Sequence, residues 1–235
     1  MNLLMDFKLM GKNILVIGGG RESYKKSIKF LEEGCKITVY SKSFTKGFKR
    51  LAAEGKISII KANIDSAEEF LKNLTQKPDL LIAATNNYDL NLELVSIAKK
   101  MGCMVYAIDN PSMSDFTFPA LAKIGDVKIA ISTGGKSPAI ARLIRMKIER
   151  IIKPEHLLQI QLQHQIRSTL KNLTSNQKMR RKILYSIIKD YKIKELLKFG
   201  KIEEARLEAF KIIESYISLR EDSHGRISNN KNEKA

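Results

Sequence analysis

The chain has 235 residues, enough for one large domain or two modest ones. Its 43% hydrophobic and 29% charged residues exclude collagen-like and wholly disordered proteins. The net charge of +17 attracts anions, which include nucleic acid, acidic membrane surfaces and polyanionic small molecules. The longest apolar runs fall far short of the ~18 residues that a membrane span requires, and the first ten residues lack the basic region of a signal peptide. We therefore expect a cytoplasmic protein without membrane contact.

The first half of the chain alternates short apolar stretches with amphipathic ones. Ser66 precedes one amphipathic stretch, and Glu69 follows three residues later, which is the pattern of a helix capping box. Nearly continuous apolar strands that alternate with helices predict a parallel sheet covered on both faces. The predicted strands are 13–17, 36–40, 57–60, 79–85 and 103–109, and the predicted helices are 22–33, 44–54, 66–74 and 88–101.

The pattern changes after Pro111. Two short stretches, 115–123 and 126–132, flank a Gly-Asp turn and predict an antiparallel pair of strands. Ser137 followed by Pro138 predicts a helix start, because a hydroxyl can cap the first turn and proline suits the first helical position. The predicted helices run over 138–152, 155–173, 177–191 and 201–217, and residues 221–235 are predicted to be disordered.

A glycine triplet stands between the first predicted strand and the first predicted helix. Gly18 permits a tight turn there, and Gly20 allows the backbone to approach a pyrophosphate. Ser23 occupies the third position of a dinucleotide fingerprint, where a small side chain lets helix and strand pack closely. The residues predicted to bind a dinucleotide at this loop are Gly18, Gly19, Gly20, Arg21 and Ser23.

Polar side chains follow the second and fourth predicted strands. The second strand ends in Ser41 and Lys42 without an acidic residue for a ribose hydroxyl, which leaves NADP open beside NAD, since Lys42 could meet a 2′-phosphate. Thr85 and Asn86 follow the fourth strand, and Asn91 comes one helical turn later. Because the carboxyl edge of a parallel sheet forms the binding crevice, we predict that all five contact a cofactor.

The fifth predicted strand ends in Asp109, two residues before Pro111. A carboxylate at this edge would face the same crevice as the glycine loop and could accept a proton from a substrate. Taken alone, the position also suits an aspartate that begins a turn before proline.

Cysteine and histidine are sparse. Cys35 and Cys103 each follow a glycine at the start of an apolar stretch, so we expect buried free thiols in a reducing compartment. Two distant cysteines and three scattered histidines lack the spacing of a metal site, and we predict none. His156 and His164 lie eight residues apart on one helix face, where they could touch a metal or a substrate or simply face solvent.

Five motifs occur in order between residues 7 and 149, and together they resemble the precorrin-2 dehydrogenase family, the amino-terminal module of sirohaem synthases. The last of the five is the most specific, because many dinucleotide folds share the glycine loop. The motifs are Gly18–Gly20 with Lys25 and Lys26, Ala84–Asn86 with Asn91, Asp109 before Pro111, Phe116 with Phe118–Ala120, and Ile131–Ala139.

The resemblance implies NAD-dependent oxidation of precorrin-2, a reduced tetrapyrrole with eight carboxylates, to sirohydrochlorin. It implies that Asp109 is the catalytic residue, and that Thr133, Gly134, Gly135, Lys136 and Ser137 bind the substrate. Residues 142–220 hold 19 basic and 8 acidic side chains, which would suit such a polyanion.

The resemblance also implies a homodimer with three parts, in which residues 116–132 pair between subunits. We expect this pairing because so small a hairpin cannot bury Phe116, Phe118 and Ile129 alone. We accordingly predict an α/β fold in which a Rossmann-like parallel sheet domain precedes a small antiparallel dimerisation segment and a C-terminal helical domain. The predicted boundaries are 1–111 for the dinucleotide-binding domain, 112–152 for the dimerisation segment, 153–220 for the helical cap and 221–235 for the tail.

Two other functions remain open at this point. Members of the same family can also be ferrochelatases, which insert iron into sirohydrochlorin, and one aspartate could serve both reactions. The second alternative is a non-enzymatic regulator that joins a dinucleotide-sensing domain to a basic nucleic-acid-binding module. The basic run 178–182 suggests it, but that run lacks a helix-turn-helix pattern and has few aromatic residues, so nucleic acid is the less favoured partner.

Overall fold

The structure, a computed structural model, describes residues 3–232, with side chains described as far as Ser218. The chain divides into two compact units, Met1–Phe118 and Pro119–Ala235. The division therefore falls after the boundary that the sequence suggests at residue 111. The finer separation into a dimerisation segment and a helical cap stays a prediction.

The first unit is a five-stranded, wholly parallel sheet with the strand order β3-β2-β1-β4-β5. The chain therefore builds outward from β1 to β3 and then crosses back to the other side of β1, which confirms the predicted Rossmann-like topology. Its elements are β1 (Asn13–Ile17), α1 (Arg21–Glu32), β2 (Lys36–Ser41), α2 (Lys46–Ala53), β3 (Ser58–Lys61), α3 (Ala67–Lys72), β4 (Leu80–Ala83), α4 (Tyr88–Lys100) and β5 (Met104–Ala107).

Side chains of the central strands pack alternately on two apolar cores. Ile14 and Val16 of β1 face a core that includes Phe30 of α1 and Phe48 of α2. Leu15 and Ile17 face the opposite core, which helices α3 and α4 cover. This alternation follows from the two-residue period of a strand, and it explains why β4 and all of β1 after Asn13 are apolar.

The second unit starts with a hairpin and continues as helices. Strand β6 pairs antiparallel with β7, as predicted, and helix α5 begins where Ser137 accepts a hydrogen bond from the Ile140 backbone N–H at 3.3 Å. The elements are β6 (Ala120–Ile124), β7 (Val127–Ile131), α5 (Pro138–Ile151), α6 (Pro154–Leu173), α7 (Gln177–Lys189), α8 (Tyr191–Lys198) and α9 (Ile202–Asn232). Within the described residues, no helix is both long and apolar enough to cross a membrane.

Two helical segments differ from the prediction. The pattern over 177–191 continues past α7, but Asp190 starts a separate helix α8 by accepting a hydrogen bond from the Ile193 N–H at 2.8 Å. Helix α9 runs on to Asn232, through most of the predicted tail, because extending a helix costs far less than nucleating one. The last three residues of that tail lie outside the described residues.

Phe116 and Phe118 precede the hairpin and pack inside the first unit. The Phe118 ring lies 5.7 Å from that of Phe30 and 5.0 Å from that of Tyr106. The sequence suggests instead that the hairpin must find a second subunit to bury both rings. The structure gives both rings partners within their own chain, where they are half-buried, and the homodimer stays a prediction.

Asp79 ties β4 to the segment before β1. Its carboxylate accepts hydrogen bonds from the Lys12 ammonium at 2.7 Å and from the Asn13 backbone N–H at 2.8 Å. The Lys12 hydrogen bond is the main cause that lowers the pKa of Asp79 below its ordinary value. A depressed pKa stabilises the fold above the unfolded-state pKa of about 3.9, and this contribution is lost as the pH falls through the folded-state value.

We expect Asp79→Asn to lower the free energy of unfolding by about 1 kcal/mol at pH 7, because the charge-assisted bonds weaken. The difference from the wild type should shrink steadily below about pH 4. Urea unfolding of both proteins at several pH values measures this. A constant difference across that range would contradict the role of the carboxylate charge.

Candidate functional site

A cavity of about 710 Å³ opens at the carboxyl edge of the parallel sheet, within the size range of ligand pockets. It lies where the strand order reverses, between β1 and β4, which is the usual place for a ligand in this kind of fold. The lining residues come from Ile17–Gly20, Tyr40–Thr45, Ala62, Ile64, Asp65, Ala84–Asn87 and Leu90.

The three glycines of the first turn differ in whether the structure leaves room for a side chain. Gly18 has φ +121°, and a Cβ there would lie 2.2 Å from the Ala84 carbonyl oxygen. A Cβ on Gly19 would lie 2.1 Å from the Ser43 carbonyl oxygen. A Cβ on Gly20 would meet nothing within 4 Å, and its φ of −78° suits any residue. The fold therefore requires the first two glycines, whereas Gly20 leaves open space at the start of α1.

One polar atom of the cavity wall lacks a partner among the described residues. The Thr45 hydroxyl oxygen is buried and makes no hydrogen bond, although the Thr45 backbone N–H donates to the Gly19 carbonyl at 3.0 Å. A buried hydroxyl without a partner costs free energy unless a ligand supplies one. The observation that fits a dinucleotide is the open space at Gly20, since the Thr45 hydroxyl is enclosed by protein atoms.

The wall beyond β2 contains an acidic residue that the sequence interpretation missed. Ser41 and Lys42 line the cavity, and Asp65 reaches the same cavity from the loop after β3. The Asn63 side-chain amide donates to both carboxylate oxygens of Asp65, at 2.7 and 2.9 Å. Sequence spacing offers no signal for Asp65, because the fingerprint places its acidic residue directly after the second strand.

Arg21 and Ser23 lie in the first turn of α1 but not among the residues that line the cavity. Ser23 is 1% exposed, and its hydroxyl donates to the Gly20 carbonyl at 3.0 Å. Its small side chain therefore serves the packing and closure of the turn. This agrees with the packing role that the fingerprint gives this position, whereas the contact of Ser23 with a dinucleotide stays a prediction. Arg21 is exposed beside the cavity.

The turn after β4 connects the cavity to Asp109. Thr85 and Asn86 line the cavity, and their contact with a cofactor stays a prediction. Asn91 is buried behind Thr85, and its amide group donates to Oδ2 of Asp109 at 2.9 Å. Asp109 follows β5 and is itself exposed. The structure thus brings these predicted residues to one edge of the sheet, with Asn91 in contact with protein groups rather than with the cavity.

The predicted substrate-binding residues form the turn between β7 and α5 in the second unit. Gly134 and Gly135 both have positive φ, and the Thr133 hydroxyl accepts a hydrogen bond from the Ser137 N–H at 3.0 Å. Lys136 is exposed at the tip. The turn therefore presents a lysine and backbone amides at the start of a 14-residue helix, where anions are favoured.

Among the described residues, no three side chains of His, Cys, Asp or Glu converge on one point that could hold a metal ion. His156 accepts a hydrogen bond from the Lys153 N–H at 2.9 Å, so it closes the first turn of α6. His164 lines a second cavity beside the β6–β7 turn. Both cysteines are free and buried as predicted.

The fold and the glycine turn define an NAD(P)-binding domain, and comparison with known proteins agrees. Residues 5–120 match a family model described as NAD(P)-binding, and residues 125–151 match one described as the central part of a sirohaem biosynthesis protein. The first match covers the sheet domain, and the second covers β7, the turn before it and α5.

Relatives extend this likeness to the whole chain. The chain is 30% identical to precorrin-2 dehydrogenase of Methanosarcina barkeri over 217 residues, which cover 92% of this chain and 94% of that protein. It is 32% identical to siroheme synthase 2 of Serratia proteamaculans over 150 residues, which are 64% of this chain and 31% of the relative. The chain belongs to the precorrin-2 dehydrogenase family.

A solved structure shares the fold. The structure of SirC, precorrin-2 dehydrogenase, superposes with a TM-score of 0.70 and covers 90% of this chain and all of that one, at 24% sequence identity. This likeness confirms the predicted combination of parallel sheet, small antiparallel sheet and C-terminal helices.

We expect Gly20→Asp to abolish dinucleotide binding without unfolding the protein. Aspartate is a favourable residue at this helix N-cap and has room for its Cβ, so the melting temperature should stay or rise slightly. Its charge would repel a pyrophosphate. Titration calorimetry with NAD measures the loss, and unchanged affinity would remove the turn from the binding site.

Gly18→Ala is the matched contrast. Its Cβ would collide with the Ala84 carbonyl, and its φ is unfavourable for alanine, so this variant should lose about 1–3 kcal/mol of stability or more.

Proposed function

We propose that the protein oxidises precorrin-2 to sirohydrochlorin with NAD as the electron acceptor. The observation that carries this proposal is the placement of an unobstructed glycine turn and a carboxylate, Asp109, at one edge of the sheet in a chain of this family. Family membership favours this enzyme over a non-enzymatic regulator.

The first unit would hold NAD along the carboxyl edge of the sheet. The backbone of Gly18–Gly20 at the start of α1 would take the pyrophosphate, because helix N-termini favour anions. Ser41, Lys42 and Asp65 lie on the β2–β3 side of this turn and would take the adenosine half. Thr85 and Asn86 lie on the β4 side and would adjoin the nicotinamide half. When bound, NAD supplies the acceptor for a hydride.

Asp109 would act as the general base. Precorrin-2 loses two electrons and two hydrogens on oxidation, one leaving as a hydride and the other as a proton. The Asp109 carboxylate accepts this proton and later releases it to solvent, to which it is exposed. The protein otherwise acts by position, since it holds a ring carbon of the substrate beside the hydride acceptor.

Lysine and arginine would bind the substrate carboxylates. Within α5, Arg142, Lys147 and Arg150 are exposed and make no ion pair among the described residues, whereas Arg145 pairs with Glu149 at 3.1 Å. Lys136 and the turn around Thr133 and Ser137 precede the same helix. A lysine at the helix start, followed by exposed cations along the helix, suits a polycarboxylate, and these groups are the proposed substrate contacts.

The protein would act as a homodimer in the cytoplasm. Helix α5 carries an exposed apolar stripe of Ile140, Ile144 and Ile151, which are 50%, 37% and 64% exposed. Such a stripe favours contact with a second copy. Burial raises the pKa of the Cys35 and Cys103 thiols, which makes them unreactive and suits a reducing compartment.

We expect Asp109→Asn to lower the turnover of precorrin-2 by about 10²–10⁴-fold, because asparagine keeps the shape but cannot accept the proton. The NAD dissociation constant should change little. Anaerobic absorbance measurements with precorrin-2 and NAD provide the rate, and near-wild-type turnover would contradict the role of the carboxylate.

Asp89→Asn is the matched control for this variant, since Asp89 is exposed on α4 and lies outside the cavity wall. Asp115, six residues after Asp109, would be a poorer control than Asp89. Its carboxylate accepts a hydrogen bond from the Val105 N–H at 2.8 Å and pairs with Lys99 at 3.0 Å, so it supports β5.

Sedimentation equilibrium should give a dimer at micromolar concentration. Ile144→Glu should raise the dimer dissociation constant at least about 100-fold, because it buries an unpaired charge. Leu207→Glu is the control, since Leu207 is 62% exposed on α9 and away from the stripe. A monomeric wild type, or equal effects of the two variants, would contradict this interface.

A further inference from the structure

Asn91 is an unusual member of the first unit because it is a polar side chain buried in an apolar helix face. It is 2% exposed and lies on α4, where Leu94, Val95 and Ala98 belong to the apolar core. Burying an amide is unfavourable unless its donors and acceptors find partners. Its partners therefore indicate why an amide stands there.

Three hydrogen bonds join Asn91 to Thr85. The amide oxygen accepts from the Thr85 backbone N–H at 3.0 Å and from the Thr85 hydroxyl at 2.7 Å. The amide nitrogen donates to the Thr85 carbonyl oxygen at 3.0 Å. These contacts fix the backbone of the turn that follows β4, and Thr85 forms part of the cavity wall.

The amide nitrogen of Asn91 also contacts Asp109. It donates its second hydrogen to Oδ2 of Asp109 at 2.9 Å, across 18 positions of sequence. Among the described residues, this is the one hydrogen bond that the Asp109 carboxylate receives, and no ion pair holds it. An exposed carboxylate without this contact would rotate freely about its side-chain bonds.

We propose that Asn91 is a positioning residue that holds the Asp109 carboxylate in a set orientation relative to the turn after β4. It acts through Asp109 and does not touch the cofactor. A single planar amide can do this because its two N–H groups and its oxygen point in fixed directions, toward Thr85 and toward Asp109. This inference rests on the proposed function, in which Asp109 is the base.

The test is a double-mutant cycle of Asn91→Ser with Asp109→Asn. Serine is too short to reach Asp109, and it leaves a polar group in the buried site. We expect Asn91→Ser alone to lower kcat for precorrin-2 oxidation about 10- to 100-fold, the usual effect of removing a group that orients a reacting one. In the Asp109→Asn background the same change should alter kcat less than about twofold, because residues that act as a unit are not additive.

Two further measurements separate this role from support of the cavity or of the fold. The NAD dissociation constant by calorimetry should change less than about threefold in Asn91→Ser, so that kcat falls while cofactor binding persists. Ser27→Ala is the control, since Ser27 is also buried and donates to the Ser23 carbonyl within its own helix. It should lower the melting temperature, leave kcat unchanged and be additive with Asp109→Asn.

The outcomes distinguish the inference from the proposed function. If the wild type does not oxidise precorrin-2, the function is wrong, and the cycle is then measured on the melting temperatures of the ligand-free proteins. Non-additive shifts would still support the contact, whereas additive shifts would overturn it. If the wild type is active, multiplicative losses of kcat in the cycle would overturn the inference. So would a loss of NAD affinity as large as the loss of kcat.

If Asn91→Ser does not fold, Asn91→Ala replaces it in the double-mutant cycle. Thr85→Val is a further variant that tests the contribution of the Thr85 hydroxyl. The valine variant removes the Thr85 hydroxyl but leaves the donor to Asp109 in place. It should therefore keep the coupling between Asn91 and Asp109 in the cycle, and loss of that coupling would show that Thr85 carries the effect.

Discussion

A close approach of two backbones at Gly18 governs the geometry of the site. The turn after β1 passes so near the end of β4 that any Cβ at this position would collide with the Ala84 carbonyl oxygen. The Gly18 N–H also donates to the Tyr40 carbonyl of β2 at 2.8 Å. Three strand ends are therefore held together at the point where the strand order reverses. The cavity, the free space at Gly20 and the turn that carries Thr85 all follow from this arrangement.

The proposed site separates recognition from proton transfer. The cavity wall combines apolar side chains with backbone, hydroxyl and amide groups, and its charged side chains are one lysine, Lys42, and one carboxylate, Asp65. The carboxylate proposed as the base lies outside that wall and is linked to it by the buried amide of Asn91. Most of the excess positive charge belongs to residues 142–220. The groups proposed for a polyanionic substrate and those proposed for a dinucleotide thus belong to different parts of the chain.

Local patterns predicted much of the first unit and left out several residues of the site. The glycine turn, the apolar strands and the Ser66 and Ser137 caps were readable, because each depends on neighbouring residues. Asp65 and Thr45 were missed, since they enter the cavity from loops whose place depends on how β2 and β3 join the sheet. The partners of Phe118 were misjudged for a similar reason, because Phe30 and Tyr106 are distant in sequence.

The amino-acid sequence was sufficient for the alternation of strands and helices, for the class of fold and for the turn that suits a pyrophosphate, since periodicity and glycine placement act over a few residues. The strand order, the burial of Asn91 and its bond to Asp109 required the folded chain. The physical reason is that these contacts join residues 18 or more positions apart, and their geometry is set by sheet pairing and core packing. Asn91 shows the difference most clearly: its position one turn into α4 suggested contact with a cofactor, whereas burial directs its amide to Thr85 and Asp109.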